Sequence, residues 1–474
     1  MPLHLGIITS LFFVLHVISV VSAILAPAVQ AQPRTMNIDH PHQLPMTGFA
    51  SDFAVLGDVD GDRTPDYAIG AYQHRWKDND RQGRVFVHSG RTGSLLYTID
   101  NPSPQPDGAF GYAVAALGDV NADGVPDLLV GAFGQGEAGS ALSLTQGEQE
   151  GRIQAGPELK KVGSGQAFVF SGENGQLLYA MEAPHQHAGA QFGFATAVLG
   201  DLSNDGIPDL LIGAPAQGGT GRAFIFSGHD GTLLSTLSPP APPGRDAFGW
   251  SVTGTSDLNT DGTPDLLVGA PYTNVNGNSV QGRVYAFSGR DQSLLYQIES
   301  PKPLAGSVFG WHLSAGGDVN ADGVADTLVG APYTDVQSIP SQGEAYAFSG
   351  VDGRLLRSLH NPALQNAYAG FGYRVAWTMD MNEDGAAEIL ISAPHQSVGE
   401  FRIQGAVFVF NGLDGRHLMT FDNPEPHQGS KFGYAIASLG DLHDDGIPEF
   451  AISASGQTIG QSDSAGRIYV FQSQ

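Results

Sequence analysis

Seven short stretches of this chain concentrate oxygen-bearing side chains at fixed spacing. In Asp119-Val-Asn-Ala-Asp-Gly-Val-Pro-Asp127 they fall at positions 1, 3, 5 and 9 (Asp119, Asn121, Asp123, Asp127), with Gly124 at position 6, where the chain must turn sharply. Oxygen donors at that spacing suit Ca²⁺, a hard cation that takes six to eight oxygens in a flexible shell. Three carboxylates within one turn repel one another, and a bound cation offsets that cost. The same pattern recurs at Asp257, Asn259, Asp261 and Asp265, and at Asp318, Asn320, Asp322 and Asp326.

Four copies vary. One reads Asp201, Ser203, Asp205 and Asp209, another Asp380, Asn382, Asp384 and Glu388, and the last Asp441, Asp445 and Glu449 with His443 at position 3. The first supplies Asp58, Asp60, Asp62 and Asp66 but sets Arg63 where the glycine belongs, so the first and last copies are expected to bind an ion most weakly. An EF-hand is excluded: it requires a bidentate Glu at position 12, where Val130 and Val268 stand, and helices on both sides. An ordinary solvated turn would account for one such loop and poorly for seven in register.

The elements that carry these loops repeat with them. The first aspartates are separated by 61, 82, 56, 61, 62 and 61 residues. Within each period a Phe-Gly start (Phe110-Gly111, Phe248-Gly249, Phe432-Gly433) leads into an alternating strand, the acidic loop, and a buried strand such as "DLLVGAP". A variable loop, a third strand such as "GRVYAFSG" and a fourth such as "SLLYQIE" complete it, the last two joined by Asp-Gly turns suited to a tight hairpin. Four antiparallel strands per unit and seven units predict an all-β fold, a seven-bladed β-propeller. The last copy ends after its third strand, Gly466 to Phe471, while "TMNIDHP", Thr35 to Pro41, reads like the fourth-strand segment "YTIDNP". An N-terminal strand is therefore expected to complete blade seven and close the ring over residues 32–474.

Bulk composition narrows the class. The net charge of −26, with 22 Lys and Arg scattered along the chain, argues against nucleic acid. Of the 48 acids, 22 stand at positions 1, 3, 5 and 9 of the seven loops, and seven divalent ions would neutralise about half of the net charge. With no cysteine, disulfides and thiolate chemistry are excluded. Residues 1–31 hold an uncharged run, Leu5 to Val29, ending in a Val29-Gln30-Ala31 step, which reads as a signal peptide or an N-terminal anchor. No segment after Ala31 is apolar enough to span a membrane, and the expected location is secreted, cell-surface or periplasmic. The chain has no Asn-x-Ser/Thr acceptor, which favours a bacterial source.

Phe-Gly at the head of each unit, Gly-Ala-Pro after the second strand (Gly213 to Pro215, Gly269 to Pro271, Gly330 to Pro332) and the acidic loop between them resemble the FG-GAP repeat of integrin α-subunits and bacterial surface proteins. The resemblance covers about residues 34 to 474. It implies calcium in the loops between first and second strands and a protein or glycan ligand on the opposite face, hence adhesion or surface interaction. Three copies depart from it: Phe49-Ala50, Ser392-Ala393-Pro394 and Ser453-Ala454-Ser455.

Other candidates are weaker. The extra chain at 134–165 is polar and glycine-rich and reads as a flexible excursion in blade two. Tyr112, Phe194, Trp250, Trp311, Tyr373 and Tyr434 each follow the Phe by two residues, a spacing suited to wedging between blades or to stacking on sugars. His185, His187, His395 and His427 lie in loops of the second face and could meet in a zinc or hydrolase site. No nucleophile elbow, zincin motif or catalytic carboxylate pair is visible, so the expected role is not enzymatic, with an exported hydrolase or its accessory domain as the alternative.

Overall fold

The computed structural model describes residues 34–77, 79–136, 139–143, 158–185, 187–240, 244–363, 366–442 and 447–472. The proposed signal or anchor, 1–31, lies outside them. The rest belongs to one compact unit, Gln32–Gln474.

Seven four-stranded antiparallel sheets follow one another, as the repeat predicts. Blade four shows the pattern: Ser251–Gly254, Leu266–Ala270, Arg283–Phe287 and Leu294–Glu299 pair in chain order. The second strand is buried at every residue, because neighbouring blades cover both of its faces. The fourth strand is outermost, and of its six residues only Ile298 is fully buried. Apolar clusters therefore straddle blade pairs: Leu199, Leu211 and Ile225 of blade three pack with Phe248, Val268 and Tyr285 of blade four. Each fully buried side chain of that size contributes about 1.5–3 kcal/mol, and part of its cover comes from the next blade, which a blade alone would lack.

The glycines of the repeat mark where blades touch through backbone. Gly249 donates its N–H to the Gly269 carbonyl of its own blade at 3.1 Å. Its carbonyl oxygen packs on Gly213 of the preceding blade, where a Cβ would stand 2.0 Å away. The same approach recurs from Gly111 to Gly70 and from Gly372 to Gly330. Where the motif reads Ser, the hydroxyl finds work in its own blade: Ser392 accepts from the Arg374 N–H at 3.0 Å, and Ser453 from the Ala435 N–H at 2.8 Å. Phenols on fourth strands tie neighbours together as well, Tyr97 donating to the Gly172 carbonyl and Tyr296 to that of Gly350 at 2.5 Å.

Closure follows the expected route. Arg34–Asp39 pairs antiparallel with Arg467–Gln472, Met36 opposite Val470 and Ile38 opposite Ile468. Arg467 binds the Asp39 carboxylate and reaches Glu425 at 2.6 Å. The insertion in blade two differs from expectation: its ends, Gly139–Ser143 and Glu158–Val162, form a two-stranded ladder. The ladder satisfies backbone groups that a loose excursion would leave to water.

Candidate metal centre

Each acidic loop joins the first and second strands of a blade, so all seven open on one face of the ring. In blade two the loop is wound by its own side chains. Asp119 accepts from the N–H groups of Asp123 at 3.1 Å and Gly124 at 2.7 Å, Asn121 from Asp123 at 2.8 Å, and Asp123 from Val125 at 2.9 Å. Gly124 takes φ +90°, the left-handed region open to glycine. Arg63 adopts the same region at φ +71° in blade one and still donates its N–H to Asp58 at 2.7 Å, at a strain of about 1–2 kcal/mol.

Position 9 does more than the spacing indicated. Asp127 is fully buried: one oxygen accepts from the Val120 N–H at 2.8 Å, the other from the Gly172 N–H at 3.0 Å, in the turn between third and fourth strands. Asp66 with Gly90, Asp209 with Gly228, Asp265 with Gly289 and Asp326 with Gly350 repeat the latch. A Cβ at Gly172 would sit 1.8 Å from the Pro126 carbonyl oxygen, so the turn must be glycine. The preceding Ser171 donates its hydroxyl to Asp123 at 3.1 Å. The Ser-Gly that follows the third strand in blades one to five was the available signal for this latch, and spacing along one loop does not reveal it.

The loops concentrate negative charge. Carboxylate oxygens of Asp58, Asp60 and Asp66 lie within 4.8 Å of one another, about twice a calcium–oxygen distance. Burial, followed by the neighbouring Asp322 and Asp318, pushes Asp326 up to about 6. In blade six burial drives Glu388 to about 7, with Asp380 and Asp384 acting in the same direction. Its Oε2 accepts from the Met381 N–H at 2.9 Å, while Oε1 is buried with no hydrogen-bond partner. A buried, partnerless carboxylate oxygen beside two more carboxylates costs energy that a metal ion would remove. The oxygen-only donor set fits Ca²⁺.

The other predicted ligands take matching places. Asp62 accepts from Thr64, Asp261 from Thr263 and Asp322 from Val324 at 2.9–3.0 Å; Asp257 and Asp318 accept from Gly262 and Gly323. Asn259 and Asn320 accept from the N–H groups of Asp261 and Asp322, and Asn382 from that of Asp384. Asp201 holds Gly206, Asp205 holds Ile207, and Ser203 donates to Asp201 at 3.3 Å. In blade seven Glu449 accepts from the Leu442 N–H at 2.8 Å and Asp441 begins the loop, whereas Asp445 lies outside the described residues.

The histidines do not converge. His427 meets Thr458 at 3.2 Å and His395 stacks edge-on to Tyr373. Among the described residues, Asp58, Asp60 and Asp66 form the group of His, Asp and Glu close enough to share an ion. His185 and His187 share the loop that leads to blade three, while His395 and His427 stand in loops at blade six. The six aromatics run ring to ring around the axis, from Tyr112 through Phe194, Trp250, Trp311 and Tyr373 to Tyr434, at 4.5–5.8 Å between centroids. Trp250 and Trp311 are 7% exposed, so these rings pack on their counterparts, while the Phe of each Phe-Gly wedges between blades. Beneath them Arg374 donates to the Tyr434 carbonyl at 3.3 Å and faces Asp52 at 3.8 Å, and Asp52 accepts from the Val114 N–H at 3.0 Å. Such side chains satisfy backbone groups along the inner strand edges.

The FG-GAP repeat family matches the chain at 110–143, 192–226, 248–287 and 309–348. Integrin alpha-4 of Xenopus laevis is 28% identical over 280 residues, 57% of this chain and 25% of that protein. Integrin alpha-IIb of Homo sapiens is 31% identical over 249 residues, 50% of this chain and 21% of that protein. Integrin alpha-3 of Cricetulus griseus is 35% identical over 185 residues, 35% and 17% respectively. The chain thus spans a quarter or less of these relatives. No helix of the described residues is long and apolar enough to cross a membrane. On these grounds the chain is a seven-bladed β-propeller carrying four FG-GAP repeats, and integrin α-subunits are its homologues.

Proposed function

We propose that this chain is an exported, calcium-stabilised propeller that binds a protein or glycan ligand on the face opposite the acidic loops and acts in adhesion or surface interaction. The observation that carries the reading is the joint match to FG-GAP repeats and to integrin α-subunits. Calcium enters through the converging carboxylates and the partnerless Glu388 Oε1. Asp58, Asp60, Asp62 and Asp66, and their counterparts in the other blades, would hold one ion per loop. The bound ion supplies charge neutralisation that fixes the loop. In blades one to five the chain's own Ser-Gly turns and position-9 carboxylates then hold each loop against the rest of its blade.

The alternative of a hydrolase draws no support from the described residues, where the candidate histidines stand in separate contacts. Export rests on the apolar run before Ala31. The test is binding of the chain to an array of glycans and extracellular matrix proteins, in millimolar calcium and in chelator. Calcium-dependent capture of a defined target is the expected result. Silence in both conditions from folded protein would contradict the adhesion reading.

A further inference from the structure

A small buried contact recurs from blade to blade and changes its chemistry once. At three junctions the fourth strand of a blade ends in Asn-Pro, and the Asn reaches a Gln that follows the second strand of the next blade. Asn101 donates to Gln135 at 3.0 Å, Asn361 to Gln396 at 2.7 Å and Asn423 to Gln457 at 2.9 Å. Each Asn also accepts, through Oδ1, from the backbone N–H two residues on, at 2.9 Å. All six side chains are buried. A side-chain amide does not titrate, so these contacts are indifferent to pH.

Where the ring closes, both positions hold histidine. His40 precedes Pro41 at the end of the closing strand. His74 stands where Gln135, Gln396 and Gln457 stand in their blades, its backbone N–H tied to the Ala71 carbonyl as theirs are to Ala132, Ala393 and Ala454. The side-chain bonds are copied too: His40 Nδ1 accepts from the His42 N–H at 3.1 Å, and His40 Nε2 meets His74 Nδ1 at 3.3 Å. That arrangement needs neutral rings. An accepting Nδ1 leaves the proton of His40 on Nε2, which donates to a bare Nδ1 on His74. A second proton on either ring sets two donors face to face. At the remaining three junctions the paired positions carry Ala, Pro, Ser, Thr or Gln, so only the closing contact titrates.

The surroundings oppose a charge there. Both rings are 1% exposed, and His40 stacks on His74 and meets Phe49 and Phe86 edge-on, 5.2 and 5.0 Å between centroids. The titratable and charged groups facing the pair are His42 on the same connection, Arg84 and His88 on the third strand of blade one, and Asp100 on its fourth. Asp100, which by itself would favour a charge, is engaged by Arg84 at 2.6 Å. Burial, then the neighbouring His74, holds His40 down to about 3, and burial, then Arg84, holds His74 down to about 4. Such rings gain water around a charge only when the segment that carries His40 moves out.

We propose that the His40–His74 pair is an acid-sensitive latch on the ring. Protonation frees the segment carrying His40, the closing strand Arg34–Asp39 leaves Arg467–Gln472, and the ring opens at this junction while the amide-latched junctions hold. Opening uncovers the edge of Arg467–Gln472, which the closing strand otherwise pairs.

Hydrogen exchange of the full chain, read by mass spectrometry and corrected for the intrinsic effect of pH on exchange, tests this. In the open form each histidine regains its ordinary pKa of 6.5, so at pH 5 each favours opening by about thirtyfold. From pH 7.5 to pH 5, protection of Arg34–Asp39 and Arg467–Gln472 should fall at least about tenfold further than that of Leu355–His360 and His417–Asp422, which end at the amide latches of Asn361 and Asn423. The difference should appear in calcium and in chelator alike, because the latch stands apart from the acidic loops. His40→Asn with His74→Gln, which installs the pair used at the other junctions, should abolish it. Equal protection of closing and amide-latched strands in the parent chain at pH 5 would overturn the proposal, and this comparison does not depend on the variant folding. So would an acid effect that the variant retains, or one confined to calcium, which would trace it to released ions.

Discussion

Gly249 sets its carbonyl oxygen against the α-carbon of Gly213 in the preceding blade, so closely that a methyl group on Gly213 would lie 2.0 Å from it. Both partners are backbone, and neither can step aside without moving a blade. Gly213→Ala is therefore expected to destabilise the fold by about 2–3 kcal/mol, measured by denaturant unfolding. Gly118→Ala, where no atom lies within 4 Å of the added carbon, should stay within about 0.5 kcal/mol of the parent chain. Equal effects at the two positions would remove the steric account of the motif.

Ring closure is testable by removing it. Deleting 34–39 strips the partner from Arg467–Gln472 and uncovers an unpaired edge. Size-exclusion chromatography with light scattering should show the truncated chain moving into oligomers, with a lower unfolding midpoint. A monomer of unchanged stability would show that the closing strand is dispensable.

Buried carboxylates give the metal-free chain an unusual pH response. Asp326 near 6 and Glu388 near 7 lie above an unfolded carboxylate, near 4. Between about pH 4 and 7 these two groups bind more protons in the folded chain than in the unfolded one, so their contribution to stability falls as pH rises through that window. Buried His40 and His74, held down to about 3 and 4, act in the opposite sense below about pH 6.5. Asp326→Asn combined with Glu388→Gln isolates the carboxylates' share: in chelator, going from pH 5 to pH 8, the parent chain should lose stability relative to this variant. In saturating calcium the order should reverse, since protons compete with the ion for the same oxygens. A common slope in both media would argue against an ion in these loops.

Glu388→Gln separates the two states at one site. At pH 8 in chelator the change removes a buried charge whose Oε1 has no partner, and a gain of about 1 kcal/mol is expected. In calcium the same variant loses a ligand charge and should melt below the parent chain. Destabilisation of equal size in both media would mean that Glu388 serves packing alone.

Much of this architecture could be read from spacing. The 61-residue period, the alternating first strand and the missing last strand gave blade count and closure, because each is a local pattern that repeats. The acidic loops were legible for the same reason. What escaped was contact between segments distant in sequence. In sequence Asp127 reads only as a ligand, and its second task, accepting from the Gly172 N–H 45 residues away, is invisible there. The aromatic rings share one face of their strands, and spacing alone does not show that Trp250 meets Trp311. The ladder between Gly139–Ser143 and Glu158–Val162 was hidden because "GSALS" and "ELKKV" carry too few apolar residues to alternate.

The central claim is that the seven loops are cation sites that hold the ring together. Equilibrium dialysis of the full chain against 1 mM calcium, with bound metal determined by mass spectrometry, tests it most directly when paired with unfolding in calcium and in chelator. Several ions per chain, up to one per blade, are expected, and at a hundred times its Kd each bound ion adds about 2.7 kcal/mol, so chelation should lower the unfolding temperature markedly. Less than one ion per chain, with superimposable unfolding curves, would contradict it.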